Sequence, residues 1–160
     1  MQPVWAIGLM SGTSMDGVDA ALIKTDGQSV FEFGPACSLS YKLDFRNRFR
    51  RFLGQQTAPA EIINEFTDIN ASAVEAVLEE SGLDRSDINV IGFHGQTLFH
   101  DAPAGITVQV GNASRLAKRA VLKLSPNFVL RTLLPAGRGL HLHRFITVHW
   151  QRVWKAHLSF

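Results

Sequence analysis

The first forty residues alternate between apolar runs and short polar segments, as a β meander does. The apolar run "VWAIGLM" is followed by "SGTSMDG", a cluster of glycine and small polar residues, and then by the apolar run "VDAALIKT". Apolar runs on both sides of such a cluster predict two strands joined as a hairpin. The dipeptide "DG" at Asp26 and Gly27 is a second turn signal, and residues 29–41 supply a third antiparallel strand. The chain is therefore predicted to begin with a three-stranded meander.

Two helices are predicted after the meander. The apolar residues of segment 43–53 recur at roughly helical spacing with arginines between them: Leu43, Phe45, Phe49, Phe52 and Leu53. This spacing predicts a helix with a solvated basic face. A longer helix is predicted from Thr57, as its N-cap, to Gly82, as its stop, with Pro59 in the first turn. Its core-facing stripe recurs at intervals of four and three: Ile62, Phe66, Ile69, Ala73 and Val77.

The next segment predicts two buried strands and one more helix. The strands are "INVIGF" and "ITVQVG", and "HGQTLFHDAPAG" between them is predicted to be a loop. The stretch "NASRLAKRA" then begins a helix with Asn112 as its cap. The order of elements through Ala120 is that of an α/β fold with an antiparallel start.

The composition is that of one soluble globular domain. The chain has 160 residues, of which 46% are hydrophobic, and this length allows a sizeable core. The apolar start is too short to span a bilayer and lacks the basic flank of a signal peptide, so we expect no membrane segment and a cytoplasmic location. Cys37 is the only cysteine, which excludes an internal disulfide and a cysteine-based zinc cluster.

The loop in "GLMSGTSMDGVDAAL" carries the strongest chemical signal. Gly12 and Gly17 let the backbone turn sharply and approach a ligand closely, and Ser11, Thr13 and Ser14 add hydroxyl donors beside the backbone amides. Such a loop can cradle a polyphosphate. An ordinary polar β-turn has the same composition and remains the alternative interpretation.

Two carboxylates in the same stretch indicate a metal ion. Asp16 and Asp19 would repel phosphate, but each could hold Mg²⁺ or its waters against phosphate oxygens. The pattern GxxxxGK[ST] is absent and no lysine follows the loop, so this is not a P-loop. A hairpin rather than a strand–helix turn would bind the phosphates.

A second polar motif, "GFHGQT", places His94, Gln96 and Thr97 just after a strand end, where ligand-facing polar groups often lie in α/β folds. A turn histidine is an equal alternative for His94, and a surface position is the favoured interpretation of His100. Neither histidine has enough partners nearby in the sequence to indicate zinc.

"GLMSGTSMDGVDAAL" and "IGFHGQTLFHDAPAGITVQVGNASRLA" together resemble the anhydro-N-acetylmuramic acid kinase family over residues 4–120. The resemblance implies an actin-like sugar-kinase fold, made of two ribonuclease H-type α/β domains with a cleft between them, of which residues 1–120 would be the N-terminal ATPase-type domain. It implies an ATP-dependent reaction of cell-wall recycling that opens 1,6-anhydro-N-acetylmuramic acid with water and phosphorylates O6. It leaves a homodimer open for full-length members.

The resemblance also assigns roles to residues. The phosphate-binding hairpin loop, at 11–19, would bind ATP through Gly12, Thr13, Ser14, Met15, Asp16, Gly17, Val18 and Asp19. Asp16 would lie on the Mg·ATP side as the metal-binding residue. His94, Gln96 and Thr97 would lie in the cleft near the sugar.

The resemblance stops near Ala120, where the composition also changes. Residues 1–120 carry all fourteen Asp and Glu and a net charge of −4, whereas residues 121–160 carry a charge of +6. The family expects a strand, then a phenylalanine–arginine–x–x–aspartate stretch and "DVAAGGQGAPL", whose aspartate is the base that activates water. Codons compatible with residues 127–150, read two nucleotides later, spell this motif. Residues 121–160 are therefore predicted to be an out-of-frame tail.

Two expectations follow from the tail. The chain as it stands would be truncated and inactive, because it lacks the catalytic base and the second domain. The tail histidines would form no metal site, and the basic charge would bind no specific nucleic acid. The alternative hypothesis is a non-catalytic α/β binding module whose basic tail binds nucleic acid.

Overall fold

A computed structural model describes residues 2–120 and the strand at 129–132. Seven strands and three α-helices occur in these residues: β1 (Val4–Ser11), β2 (Gly17–Thr25), β3 (Val30–Ser40), α1 (Leu43–Arg50), α2 (Ala60–Ser81), β4 (Ile88–Phe93), β5 (Gln96–Asp101), β6 (Ile106–Val110), α3 (Ala113–Arg119) and β7 (Val129–Thr132). The structure is thus of the α/β class, as the sequence predicts.

The main sheet has five strands in the order β3-β2-β1-β4-β7. The predicted meander is confirmed, because β1 pairs with β2 and β2 pairs with β3, both antiparallel. β4 then pairs parallel with β1 on the other side, so the two helices between β3 and β4 belong to the crossover. The backbone of β7 continues the sheet parallel to β4. The carboxyl ends of β1 and β4 therefore lie at the same edge.

The predicted helices are confirmed, with corrections at their starts. α2 begins at Ala60, and not at a Thr57 cap, because Pro59 is still outside the helix, with an extended ψ of 143°. Gly82 ends α2 in the left-handed conformation, with a φ of 66°. Leu43, expected on the apolar side of α1, is exposed instead. The Asn112 cap is confirmed, since its side chain accepts from the Arg115 amide.

The sequence predicts a loop between β4 and β6. The structure instead has the strand β5 in this segment. β5 and β6 form a separate antiparallel two-stranded sheet. Alternating burial explains β5, because Gln96 and Leu98 are buried while Thr97 is half-buried. β6 is not a buried strand, since its residues are half-buried and Ile106 is exposed.

One hydrophobic core joins the sheet to the helices. A series of neighbouring aromatic rings, with centroids 5.2 to 6.3 Å apart, passes through it: Tyr41, Phe45, Phe49, Phe66 and Phe93. These rings connect the end of β3, both helices of the crossover and the end of β4. None of the helices in the described part of the chain combines the length and apolar composition needed to cross a membrane.

Candidate functional site

The loop between β1 and β2 is a tight hairpin whose special residue is Met15. Met15 has a φ of 57°, a left-handed conformation that is rare for residues other than glycine. Its side chain is completely buried, and its amide donates to the Gly12 carbonyl at 3.1 Å. The buried side chain therefore anchors the middle of the loop to the core.

The sequence predicts that Gly12 and Gly17 allow a sharp turn, but the structure gives them other roles. Neither Gly12 nor Gly17 is left-handed. Gly17 is required by close approach to β3, because a Cβ there would lie 2.5 Å from the Leu39 carbonyl oxygen. At Gly12 the nearest atom to a Cβ would be Ser14 Oγ at 3.3 Å. Gly12 therefore leaves the outer side of the loop open.

The residues of the expected phosphate loop divide by exposure. Gly12, Thr13, Ser14 and Asp16 are exposed, whereas the side chains of Met15 and Val18 are buried. A ligand on the outer side of the hairpin can therefore meet hydroxyls, amides and one carboxylate. Met15 and Val18 can offer only backbone groups.

Two arginines of α1 contact this loop, and the sequence reasoning missed both. An Arg46 guanidinium nitrogen lies 3.1 Å from Asp16 Oδ1. One helical turn later, Arg50 donates to the Ser14 carbonyl at 2.9 Å. Their spacing of four indicates one helix face, but no sequence signal indicates that this face meets the loop. The face predicted as solvated is thus partly occupied by the hairpin.

Asp19 lies on β2 rather than in the loop itself. Its cross-strand partner is Ser38, whose hydroxyl donates to Asp19 Oδ1. Burial raises the pKa of the Asp19 carboxyl, and the hydrogen bond from Ser38 opposes that effect. Within the described residues, no three His, Cys, Asp or Glu side chains form a group that could hold a metal ion.

The second motif meets the hairpin at Ser11, the last residue of β1. Ser11 Oγ donates to Gln96 Oε1 at 2.6 Å, and Gln96 Nε2 donates to the Gly12 carbonyl at 3.3 Å. The Ser11 amide donates to His94 Nε2 at 3.4 Å. The structure therefore brings His94 and Gln96 to the hairpin, although 83 and 85 residues separate them from Ser11.

Thr97 and His100 lie apart from this meeting point. Thr97 follows Gln96 on β5, so its side chain points to the opposite face of the strand. There Thr97 Oγ1 accepts from Gln109 Nε2 at 3.2 Å. His100 is exposed, with its Nδ1 2.8 Å from Thr107 Oγ1. Of the expected sugar-side residues, only His94 and Gln96 contact the hairpin.

Tyr41 completes the site, and the sequence reasoning did not select it. The Tyr41 hydroxyl lies 2.7 Å from Ser11 Oγ, and the Tyr41 amide donates to the Asp16 carbonyl at 3.0 Å. Burial raises the pKa of Tyr41 to about 12. A tyrosine at the end of a polar-apolar strand gives no signal that it will reach a loop 25 residues earlier in the chain.

Known proteins resemble this chain over most of its length. A family model described as anhydro-N-acetylmuramic acid kinase matches residues 4–149. The curated anhydro-N-acetylmuramic acid kinase of Rhizobium etli is 41% identical over 147 residues, which cover 86% of this chain and 40% of that protein. The one of Rhodospirillum rubrum is 45% identical over 146 residues, 87% of this chain and 38% of the relative.

The chain spans about 40% of the length of these curated relatives. The matched range includes the hairpin loop and the segment that begins with His94, the two parts that meet at Ser11. It also continues past Ala120 to residue 149. The chain belongs to the anhydro-N-acetylmuramic acid kinase family.

Proposed function

We propose that this chain is the N-terminal, phosphate-binding part of an ATP-dependent kinase of cell-wall recycling. The whole enzyme would open 1,6-anhydro-N-acetylmuramic acid with water and phosphorylate O6, giving N-acetylmuramic acid 6-phosphate. The observation that carries the proposal is the hydrogen bond between Ser11 and Gln96, which joins the two segments on which the family resemblance rests. A cleft enzyme needs its phosphate and sugar sides to be held together in this way.

The hairpin fits the phosphates of Mg·ATP. The exposed residues Gly12, Thr13 and Ser14 offer backbone amides and two hydroxyls, and Asp16 in the same loop presents an exposed carboxylate. Phosphate oxygens and waters usually complete the shell of Mg²⁺, so a single protein carboxylate suffices. In the bound complex, Mg·ATP supplies the phosphoryl group. Asp19 would act through β2 and its Ser38 bond rather than as a direct ligand.

His94 and Gln96 would lie in the cleft between the bound phosphates and the bound sugar. Gln96 is completely buried and uses both ends of its amide on the hairpin. We therefore assign Gln96 to holding the loop against the sugar side. His94 Nε2 accepts from the Ser11 amide, which requires that nitrogen to be unprotonated. Thr97 would reach the sugar only from the opposite face of β5.

The strand order supports a ribonuclease H-type domain of the actin-like sugar kinases. Three antiparallel strands followed by parallel β4 and β7, in the order β3-β2-β1-β4-β7, place the hairpin at the edge where β4 ends. We propose a cytoplasmic enzyme, with the second domain and any homodimer contact contributed by sequence beyond the described residues. The nucleic-acid-binding alternative is not favoured by the family match.

We further propose that residues 121–160 are read out of frame and that the chain alone is inactive. The codon argument supports this proposal, whereas the family match through residue 149 means that the frame must be tested on the gene itself. Sequencing the gene across codons 115–150 does so. The proposal would be contradicted if the gene, read two nucleotides later across codons 127–150, did not encode the family motif.

The kinase proposal is tested with ATP, Mg²⁺ and 1,6-anhydro-N-acetylmuramic acid. The frame-restored gene product should form N-acetylmuramic acid 6-phosphate, detected by its mass, and the 160-residue chain should form none above a mock preparation. A restored protein that hydrolyses ATP but never phosphorylates the sugar would contradict the substrate assignment. Product formed by the 160-residue chain would contradict its inactivity.

A further inference from the structure

Tyr41 contacts the phosphate loop at both of its ends. Its amide donates to the carbonyl of Asp16 at 3.0 Å, and its hydroxyl lies 2.7 Å from the Oγ of Ser11. Ser11 is the last residue of β1, and Asp16 immediately precedes β2. Tyr41, which directly follows β3, thus joins the two ends of the hairpin loop.

The hydroxyl protons of this cluster have a defined direction. Ser11 has a single hydroxyl proton, which it donates to Gln96 Oε1 at 2.6 Å. The Tyr41 hydroxyl must therefore donate to Ser11 Oγ. Gln96 Nε2 in turn donates to the Gly12 carbonyl at 3.3 Å. The series of hydrogen bonds from Tyr41 through Ser11 and Gln96 ends on the loop backbone. In such a series each hydrogen bond strengthens the next.

Tyr41 is itself held rigidly. Its ring packs on Phe45 and Phe66, with centroids 5.2 and 6.3 Å away. Burial raises the pKa of Tyr41 to about 12, so the hydroxyl keeps the proton that it donates at neutral pH. These contacts tie the loop to α1 and α2.

The loop needs such a support because its backbone is unfavourable by itself. Met15 has a φ of 57°, and a non-glycine residue keeps a left-handed conformation only where the surroundings determine it. The buried Met15 side chain holds the middle of the loop, and Tyr41 holds its two ends. Removal of either should let the backbone of the exposed residues Thr13 and Ser14 change its conformation.

We propose that Tyr41 is a positioning residue for phosphate binding: its hydroxyl and amide fix the two ends of the loop, so that the loop amides face the phosphates before a ligand arrives. The ligand in this inference rests on the proposed function. Pre-organised donors bind more tightly than donors that must first be ordered. The geometry itself is independent of the ligand.

The test is Tyr41→Phe in the 160-residue chain, because this change removes the hydroxyl and keeps the ring. Amide exchange without ligand is measured at Met15 and Tyr41, whose amides bond to Gly12 and Asp16. Both should exchange faster in the variant. Binding of Mg²⁺ with inorganic tripolyphosphate, a probe of the loop alone, should weaken about tenfold, the size expected for one lost buried hydrogen bond.

Thr67→Val is the matched control. Thr67 is completely buried, and its hydroxyl donates to the Ile63 carbonyl and accepts from the Asn112 amide, away from the hairpin. It should destabilise the fold comparably and leave both the Met15 exchange and tripolyphosphate binding unchanged. Ser11→Ala should weaken binding as Tyr41→Phe does, and the two together should add little, because they break one chain of bonds.

The outcomes separate this inference from the proposed function. Unchanged exchange at Met15 in Tyr41→Phe, or faster exchange with unchanged tripolyphosphate affinity, would overturn the positioning role. Equal effects in Thr67→Val would also overturn it, since they would show a general loss of stability. Failure of the wild-type chain to bind tripolyphosphate would contradict the phosphate-binding role of the loop, whereas the exchange measurement still decides whether Tyr41 holds it.

Discussion

Ser11 and Gln96 lie 85 residues apart in the sequence, and the Ser11 hydroxyl donates to the Gln96 side-chain oxygen at 2.6 Å. Both side chains are buried, so the bond is shielded from water. It joins the end of β1 to the start of β5, directly below the exposed hairpin. The parallel pairing of β1 with β4 makes this contact possible, because it brings the carboxyl ends of both strands to one edge.

The two glycines of the hairpin should respond differently to alanine. Gly17→Ala should destabilise the protein by about 2–3 kcal/mol, because its methyl group would press on the Leu39 carbonyl. Gly12→Ala should stay within about 1 kcal/mol, since the nearest atom to the new methyl group is the Ser14 Oγ, which can rotate away. Urea denaturation of both variants measures the difference. Equal losses would mean that the contact between β2 and β3 does not explain Gly17.

Asp16→Asn should remove activity without unfolding the protein. In a frame-restored enzyme, turnover should fall at least about 100-fold, because a carboxylate beside Mg²⁺ stabilises the developing charge of phosphoryl transfer. The melting temperature should change little, since Asp16 is exposed and its ion pair with Arg46 is only partly shielded from water. Asp44→Asn is the control, because Asp44 forms a comparable exposed pair with Arg48 and should keep full turnover. Near-normal turnover of Asp16→Asn would remove Asp16 from the mechanism.

The ion pair between Asp68 of α2 and Arg115 of α3, here called the clamp, should stabilise the fold. Arg115 donates to both oxygens of Asp68, at 2.6 and 2.7 Å, and these bonds lower the pKa of Asp68. Asp68→Asn should lower the melting temperature by a few degrees at pH 7. A carboxyl with a lowered pKa stabilises the fold above its ordinary value of 3.8, and this contribution is lost as the pH falls below that value. The difference between wild type and variant should therefore shrink in acid, and a constant difference would contradict the clamp.

Asp19 should show the opposite dependence on pH. Burial raises its pKa, so the folded protein binds the proton more tightly than the unfolded chain does. Ionisation of Asp19 therefore costs stability as the pH rises above 3.8. Asp19→Asn, which can still accept from Ser38, should be more stable than wild type at pH 7 and equal to it in strong acid.

Asp26→Asn is the matched control, because the pKa of Asp26 is shifted in the opposite direction from that of Asp19. The amides of Ser29 and Gln28 donate to Asp26 and lower the pKa of its carboxyl. This variant should be less stable than wild type at pH 7. Unfolding free energies from pH 3 to pH 7 test both variants, and curves of the same sign would show that burial does not govern Asp19.

Local patterns predict the first eighty residues of the fold well. Apolar runs around a polar cluster indicate the meander, and the spacing from Ile62 to Val77 indicates the core side of α2. β5 was missed because its alternation is short and begins with Gln96, a polar residue that is buried by its bonds to the hairpin. A local sequence pattern does not indicate which residues far apart in the chain will contact each other.

The sequence predicts the arrangement of the candidate site in part. The composition of the loop identifies an exposed cradle, and the position of His94 and Gln96 after a strand indicates a place at the same edge. Tyr41 and Arg46 could not be found in this way, because their roles depend on the packing of a strand end and a helix against the loop. The sequence predicts Met15 only as a member of the loop, because nothing in the sequence indicates its left-handed backbone.

The most direct test of the central claim is a titration of the isotope-labelled 160-residue chain with millimolar Mg·ATP, followed by amide chemical shifts. The largest changes should fall on Gly12, Thr13, Ser14 and Asp16, with smaller ones at Gln96, and tripolyphosphate should reproduce the changes in the loop. The account would be contradicted if these amides stayed unchanged at saturation, or if nucleotide bound only at residues away from the hairpin.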